Sequence, residues 1–323
     1  MIKSYFYNHQ ENAMYYDIDL RKKDEILADS KNLLWIDIYD ATSEDLTVLS
    51  RAFNFHPLAL EDCLQESPRA KVDRYDDYFF FVFHAVRYNE ESEEEISTAE
   101  LDIFLGSNYL ITIHNSPLSS VARVVKQCWY TTKLMQRGPD YLLYHIVDGI
   151  IDEYFPILER IGIRIDELED EIYINPAKEI TEEILALKRT ILLFRKVVAP
   201  QKRIFANVNG RYSFQIDEEN MPYYMDLVDH VDSILDTTDT FRDLVNSAMD
   251  TYYSIISAKT NDVMRVLTII STITLPLTFI TGIFGMNVVI PYAHSAFTLW
   301  FIILGMVILI SFMLWAFRRN RWI

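Results

Sequence analysis

Residues 266–286 read VLTIISTITLPLTFITGIFGM, and residues 297–317 read FTLWFIILGMVILISFMLWAF. Neither 21-residue stretch contains a charge. Each is long enough to cross about 30 Å of hydrocarbon as a helix. The link, residues 287–296, is short, so the two spans form a hairpin. Arg265 precedes the first span, Arg318, Arg319 and Arg321 follow the second, and the link holds no Lys or Arg. Basic flanks stay on the cytoplasmic side, so both termini are expected there and the link outside. Two buried core helices are the competing reading. Adjacent charge-free stretches with basic flanks argue against it.

The two spans differ. The second is built from Leu, Ile, Phe, Met and Trp and suits lipid. The first carries Thr268, Ser271, Thr272, Thr274, Thr278 and Thr281, with Pro276, Gly282 and Gly285. Such hydroxyls serve as helix–helix contacts, or they line water. One polar and one apolar helix cannot enclose a pore alone, so a channel reading requires several copies of the chain.

Outside this hairpin the chain is acidic. Its 323 residues carry a formal charge of −17, yet the mean hydropathy is +0.03. Asp262 is the last acidic residue, and only four arginines lie beyond it. The −17 is therefore −21 on residues 1–262 and +4 on the remainder. Duplex nucleic acid is excluded as a partner, because phosphate neutralisation needs a basic surface. At 50% hydrophobic and 14% aromatic residues the body has material for a core. Cys63 and Cys128 have no partners at metal-binding spacing and are expected as buried or half-buried thiols in a reducing compartment. Met1–Gln10 has no signal-peptide apolar run. No Gly-rich phosphate loop, His-Glu-x-x-His or nucleophile elbow occurs, so neither enzymatic chemistry nor a small organic substrate is expected.

Up to residue 138 the pattern is mixed α/β. Strands are expected over Ile2–Tyr7, Leu33–Ile38, Tyr78–Tyr88, Leu101–Leu105 and Tyr109–His114, with Gly106-Ser107-Asn108 as a hairpin turn. Helices are expected over Ser43–Phe53, Pro57–Leu64 and Ser119–Met135, with Pro57 at a first helical position. Glu90–Glu95 reads as a solvated loop. From Asp140 the chain turns helical: one helix over Asp140–Tyr173 kinked at Pro156, a turn at Asn175-Pro176, and a return over Ala177–Asn207. Asp148, Asp152 and Glu153 belong to a crowd of acids on the first arm that reads as a solvated face. A third helix should start near Pro222 and run unbroken into the first span. Its apolar seam is expected through Tyr224, Val228, Val231, Leu235, Val245, Ala248, Tyr252 and Ile255. Beside it runs a stripe of Asp229, Asp232, Asp236, Asp239, Asp243, Asn246 and Asp250. Like charges at this spacing repel, so the stripe requires counter-charges, from basic side chains or from divalent cations.

Gly285-Met286-Asn287 closes the first span. With 263–270 (VMRVLTII) and 276–280 (PLTFI) upstream, it resembles the CorA family of magnesium channels. The likeness extends through His56-Pro57-Leu58-Ala59-Leu60-Glu61-Asp62, Tyr141–Tyr144, Asp152–Phe155, Thr240–Asp243 and Lys259–Asn261. It implies an α/β N-terminal cytoplasmic domain (1–138), a cytoplasmic helical hairpin and long stalk helix (139–262), and a transmembrane pore domain (263–323). It further implies a multi-pass protein of the plasma (inner) membrane, in contact with lipid, assembled as a homo-oligomer, a pentamer. Mg²⁺ would be cargo and regulator, with Co²⁺ and Ni²⁺ as further cargo. Carried over by motif, Gly285, Met286 and Asn287 form the selectivity filter, and Asn261, Leu267, Leu275 and Thr278 line the pore. The regulatory metal falls to Asp226, with Asn89 or Glu90 of a neighbouring subunit. The link departs from the family pattern: Pro291 is kept, but the usual acid after it is replaced by Tyr292. The alternative is a ZntB-type zinc transporter of the same fold. Met286 favours the magnesium branch, and His294 is the one nitrogen ligand of the link.

Overall fold

The structure is a computed structural model and describes residues 1–88, 96–174, 179–206, 216–286, 296–320 and 322. The chain divides into two compact units, one of Met1–Glu171 and Ala177–Ala248, the other of Ile172–Pro176 and Met249–Ile323.

The first unit is built on a seven-stranded sheet in the order β2-β1-β3-β7-β6-β5-β4. The strands are β1 (Ile2–Asn8), β2 (Ala13–Tyr16), β3 (Leu33–Tyr39), β4 (Lys71–Arg74), β5 (Phe79–Tyr88), β6 (Ile96–Leu105) and β7 (Tyr109–His114). Only β3 and β7 are parallel; every other pair is antiparallel. The hairpin turn at Gly106-Ser107-Asn108 is present, with the Gly106 amide donating to the Tyr109 carbonyl at 2.9 Å. A Cβ on Gly106 would lie 2.1 Å from the Tyr109 ring, so glycine is required there. The sequence reading missed β2 and β4, four-residue strands at the two sheet edges. Neither has a buried residue, so neither shows an apolar alternation. β6 starts five residues before its expected beginning.

Helices α1 (Lys23–Ile26), α2 (Ser43–Phe53) and α3 (Pro57–Asp62) follow the first strands. Thr42 and Asp45 cap α2 reciprocally, and Asn54 ends it in the left-handed region. His56 accepts the Leu58 amide ahead of Pro57. Leu46 and Leu49 of α2 and Ala59 of α3 pack with Leu34, Ile36, Phe80, Val82, Phe104 and Ile111 in one core on one sheet face. The stretch expected as a single helix over Ser119–Met135 is two, α4 (Ser119–Tyr130) and α5 (Lys133–Gln136), because Thr131 takes an extended conformation. Both cysteines are buried thiols, and burial pushes the Cys128 thiol up to about 12.

The expected helix from Asp140 is also two: α6 (Pro139–Asp152) and α7 (Tyr154–Ile174). The break at Glu153 sits just above Pro156, which has no N–H for the Asp152 carbonyl. Helix α8 (Glu179–Ala206) returns. Helix α9 (Met221–Phe284) runs unbroken for 64 residues, as expected, and α10 covers Ala296–Arg319. The buried seam of α9 is Tyr224, Leu227, Val231, Ile234, Thr238, Val245, Ala248 and Tyr252. It therefore passes through Leu227 and Ile234 rather than Val228 and Leu235. Both neighbours are apolar, and the alternating three–four step that starts at Tyr224 selects the earlier of each pair.

Three of the seven stripe positions find basic partners on α8. Lys202 meets Asp232 at 2.6 Å, Arg195 meets Asp239 at 2.9 Å, and Lys188 meets Asn246 at 3.1 Å. Each step of seven along α8 is a step of seven back along α9, which makes the two helices antiparallel. The helices hold to the sheet through a buried network. Tyr154 donates to the His84 carbonyl, and the Gln201 amide donates to that carbonyl at 3.0 Å and to the Tyr154 oxygen at 2.8 Å. Tyr154→Phe removes two buried hydrogen bonds, the one to the His84 carbonyl and the one from the Gln201 amide. A loss of about 1–3 kcal/mol is expected, read as a lower denaturation midpoint of the purified protein. An unchanged midpoint would show that the network does not hold α7 and α8 to the sheet.

Candidate functional site

In the second unit the long helix is two-sided. At 3.6 residues per turn, Asn261, Met264, Leu267, Thr268, Ser271, Leu275, Thr278 and Gly282 fall within an arc of about 120°. All eight are exposed. The opposite arc carries Ile269, Ile273, Pro276, Leu277 and Ile280, all half-buried. The four expected lining residues thus share one face, with Leu275 75% and Leu267 55% exposed. An apolar concavity of about 740 Å³ on this face is lined by Leu275, Pro276, Thr278, Phe279, Gly282 and Ile283. Gly282 has no neighbouring atom within 4 Å of where a Cβ would stand.

The threonines of this helix donate to their own backbone. Thr268 donates to the Met264 carbonyl at 2.7 Å, Thr274 to Ile270 at 2.8 Å and Thr278 to Thr274 at 2.9 Å. A hydroxyl has one proton and two lone pairs. With the proton committed, the Thr278 oxygen offers only acceptors, the polarity that the water shell of a cation requires. At the helix end the Gly285 amide donates to the Thr281 carbonyl at 2.8 Å and the Met286 amide to Ile283 at 3.3 Å. Asn287 lies outside the described residues. Helices α9 and α10 are each long and apolar enough to cross a membrane, and none of the apolar window of either is buried.

The first unit assembles a second site around Asp226. Helix α9 starts beside the start of α6. The Asp140 carboxylate accepts the Asp217 amide at 2.9 Å and the Asn220 side-chain amide at 3.0 Å, and Tyr224 donates to the Asp140 carbonyl at 2.7 Å. Two i,i+4 pairs then face one another, Asp148 with Asp152 on α6 and Asp226 with His230 on α9. One ligand atom each from Asp148, Asp152 and His230 lies within 4.8 Å of the others, and this trio could hold a metal ion. His230 Nε2 is 3.7 Å from the Asp226 carboxylate. The Phe155 ring stands edge-on to the imidazole at 5.7 Å. Burial, and next the Asp152 charge, hold the Asp148 carboxyl above the usual range; His230 works against them. Of the three expected regulatory residues Asp226 is thus placed, whereas Asn89 and Glu90 lie outside the described residues. The sequence reading left Asp148 and Asp152 among solvated acids and did not single out His230. The paired i,i+4 spacing on two helices was the available signal.

A transport protein is the class that these features suit: a membrane-length helix with hydroxyls and Asn261 along one arc, an apolar partner helix and a carboxylate–imidazole cluster. The CorA-like Mg²⁺ transporter family matches residues 30–319. The cobalt/magnesium transport protein CorA of Thermotoga maritima is 36% identical over 80% of this chain and 74% of its own. That of Methanocaldococcus jannaschii is 31% identical over 94% and 95%, and its complete structure superposes with a TM-score of 0.84 over 100% of this chain and 99% of that one, at 28% identity. The ZntB cytoplasmic domain from Vibrio parahaemolyticus shares the fold at 12% identity and a TM-score of 0.59, over 70% of this chain and 88% of that one. The chain belongs to the CorA-like Mg²⁺ transporter family, a family of membrane transporters rather than enzymes.

A carboxyl with a raised folded pKa stabilises the fold below its unfolded pKa and loses that contribution as pH rises through the folded value. In EDTA, stability should therefore fall as pH rises from the usual carboxylate range through the Asp148 value. Millimolar Mg²⁺ should abolish the fall, and Asp148→Asn should abolish both the fall and the Mg²⁺ effect. Melting curves across pH check this; a Mg²⁺ effect that persists in Asp148→Asn would place the ion elsewhere.

Proposed function

We propose that the chain is the subunit of a homopentameric Mg²⁺ channel of the plasma membrane that also passes Co²⁺ and Ni²⁺. Residues 1–138 and 139–262, with both termini, lie in the cytoplasm, and residues 263–323 form the pore domain. The observation that carries this reading is that the four expected lining residues share one face of α9, opposite its half-buried aliphatic arc. Five copies of that face enclose a conduit, and five copies of α10 meet lipid. The uncovered concavity beside Thr278 suits cover by a neighbouring copy.

Mg²⁺ keeps its waters tenaciously. A neutral ring of Asn287 carboxamide oxygens, held by Gly285 and Met286, accepts hydrogen bonds from those waters and binds weakly enough to release the ion. Below it Thr278 and Asn261 supply further acceptors. Leu275 and Leu267 form apolar constrictions that close by dewetting. On the cytoplasmic side, Mg²⁺ bridges the Asp226 region to Asn89 or Glu90 of the adjacent subunit and holds the assembly shut. When cytosolic Mg²⁺ falls, repulsion among the bare carboxylates loosens it. The Asp148–Asp152–His230 cluster beside Asp226 supports a cation there, since hard oxygen ligands suit Mg²⁺.

In proteoliposomes, Asn287→Ala should reduce Mg²⁺ uptake by at least about tenfold, because it removes the filter oxygens. Undiminished uptake would sink the filter assignment. Zn²⁺ flux above Mg²⁺ flux in the same vesicles would move the chain to the zinc branch of the fold.

A further inference from the structure

Residues 1–262 sum to −21, which makes a basic groove among them conspicuous. It lies between β4, an edge strand, and the C-terminal part of α8. Its cavity of about 370 Å³ is lined by four cations, Arg69, Lys71, Lys196 and Arg203, and by no carboxylate. Lys71 is half-buried and already bridged to Asp62 at 2.6 Å and Asp73 at 3.0 Å. Arg69 and Lys196 are exposed, and no described carboxylate pairs with either. Two like charges facing one cavity whose lining holds no carboxylate raise the local potential and concentrate anions there.

The rest of the lining is apolar: Ala70, Val72, Ala199, Pro200 and Ile204. Pro200, within α8, has no N–H for the Lys196 carbonyl. That carbonyl remains available as an acceptor in the groove wall. The open edge of β4 adds unpaired backbone groups.

Beyond Arg69 and Lys196, which both cavities share, lies a second cleft of about 270 Å³. It carries Glu66, Glu100, His84 and Thr98 beside Leu193 and Val197. The Glu100 carboxylate accepts the Ser67 amide at 2.7 Å and stands 3.5 Å from His84. Here Glu66 and Glu100 offset the two shared cations, so this cleft does not gather phosphate and instead offers acceptors to amines and hydroxyls. The two cavities together therefore select a ligand with a polyanionic end and a neutral, donor-bearing end. Each is of the size that holds part of a cofactor-sized molecule.

We propose that this double cleft binds a nucleoside triphosphate, with the phosphates over Arg69 and Lys196 and the ribose and base against Glu66, Glu100 and Thr98. The ligand is held, not transported, and the site stands apart from any reading of the pore. Because the cleft supplies cations and no ligand set for a metal at the phosphate end, the free nucleotide binds better than its Mg²⁺ complex.

The test is calorimetric titration of the full-length protein in detergent with ATP in EDTA. Saturable binding below about 1 mM is expected, weakening as salt rises. Arg69→Ala/Lys196→Ala should lower the affinity at least about tenfold, equivalent to about 1.4 kcal/mol, with an unchanged melting temperature because both residues are exposed. Tripolyphosphate and adenosine should each bind more weakly than ATP, and excess Mg²⁺ should weaken ATP. Equal ATP affinity in the wild type and the double variant overturns the proposal. So does equal affinity for tripolyphosphate and ATP, which reduces the groove to a non-specific electrostatic patch. Flux is not read, so failure here leaves the channel reading untouched, and failure of the channel reading leaves this one.

Discussion

The placement of α9 rests on Asp140. Asp140 is 6% exposed; its carboxylate is satisfied by two donors from the segment that leads into α9, while its carbonyl takes the Tyr224 hydroxyl. A buried carboxylate stripped of such donors is costly, so the start of α9 is fixed against the start of α6. Everything further along is then set by counting residues. The charge rungs to α8 could not do this alone. They are partly exposed and individually worth under about 1 kcal/mol. The aspartate stripe also repeats so regularly that a slip of one turn would bring other aspartates opposite the same bases. The anchor removes that degeneracy, and Gly162 assists, because the Phe241 ring lies 3.1 Å from where a Cβ would be.

The same anchor explains why Asp148 and Asp152 face Asp226 and His230. The helices run together from the anchored end, and each brings an i,i+4 pair to the same level. On one helix at a time these residues are ordinary surface groups, which is how they read in the sequence. Their meaning depends on a packing partner some 80 residues away, and no local pattern encodes that.

What could be read locally was read well. The membrane spans, the 64-residue helix and the central strands β3, β5 and β7 are long and strongly patterned. Tertiary context decided the remainder. β2 and β4 are edge strands without a buried residue, and the break at Glu153 is displaced from the proline that causes it. The aspartate stripe left counter-charges or cations open; Arg195 and Lys202 supply counter-charges to two of its aspartates and Lys188 bonds Asn246, a spacing of seven visible only when α8 and α9 are set side by side. The proposed pore-facing residues come from resemblance. Geometry adds that they share one arc and that the opposite arc is aliphatic.

The back-bonded threonines carry a further consequence. Chloride or phosphate entering a conduit must replace its lost hydration with N–H or O–H donors. At Thr268 and Thr278 the hydroxyl protons are committed to the helix's own carbonyls, so these positions offer none. Such positions discriminate between the signs of charge without bearing a charge themselves. Salt screens fixed charges but leaves lone-pair direction unchanged. The exclusion of anions would therefore hold at ionic strengths that erase the preference of a pore guarded by carboxylates.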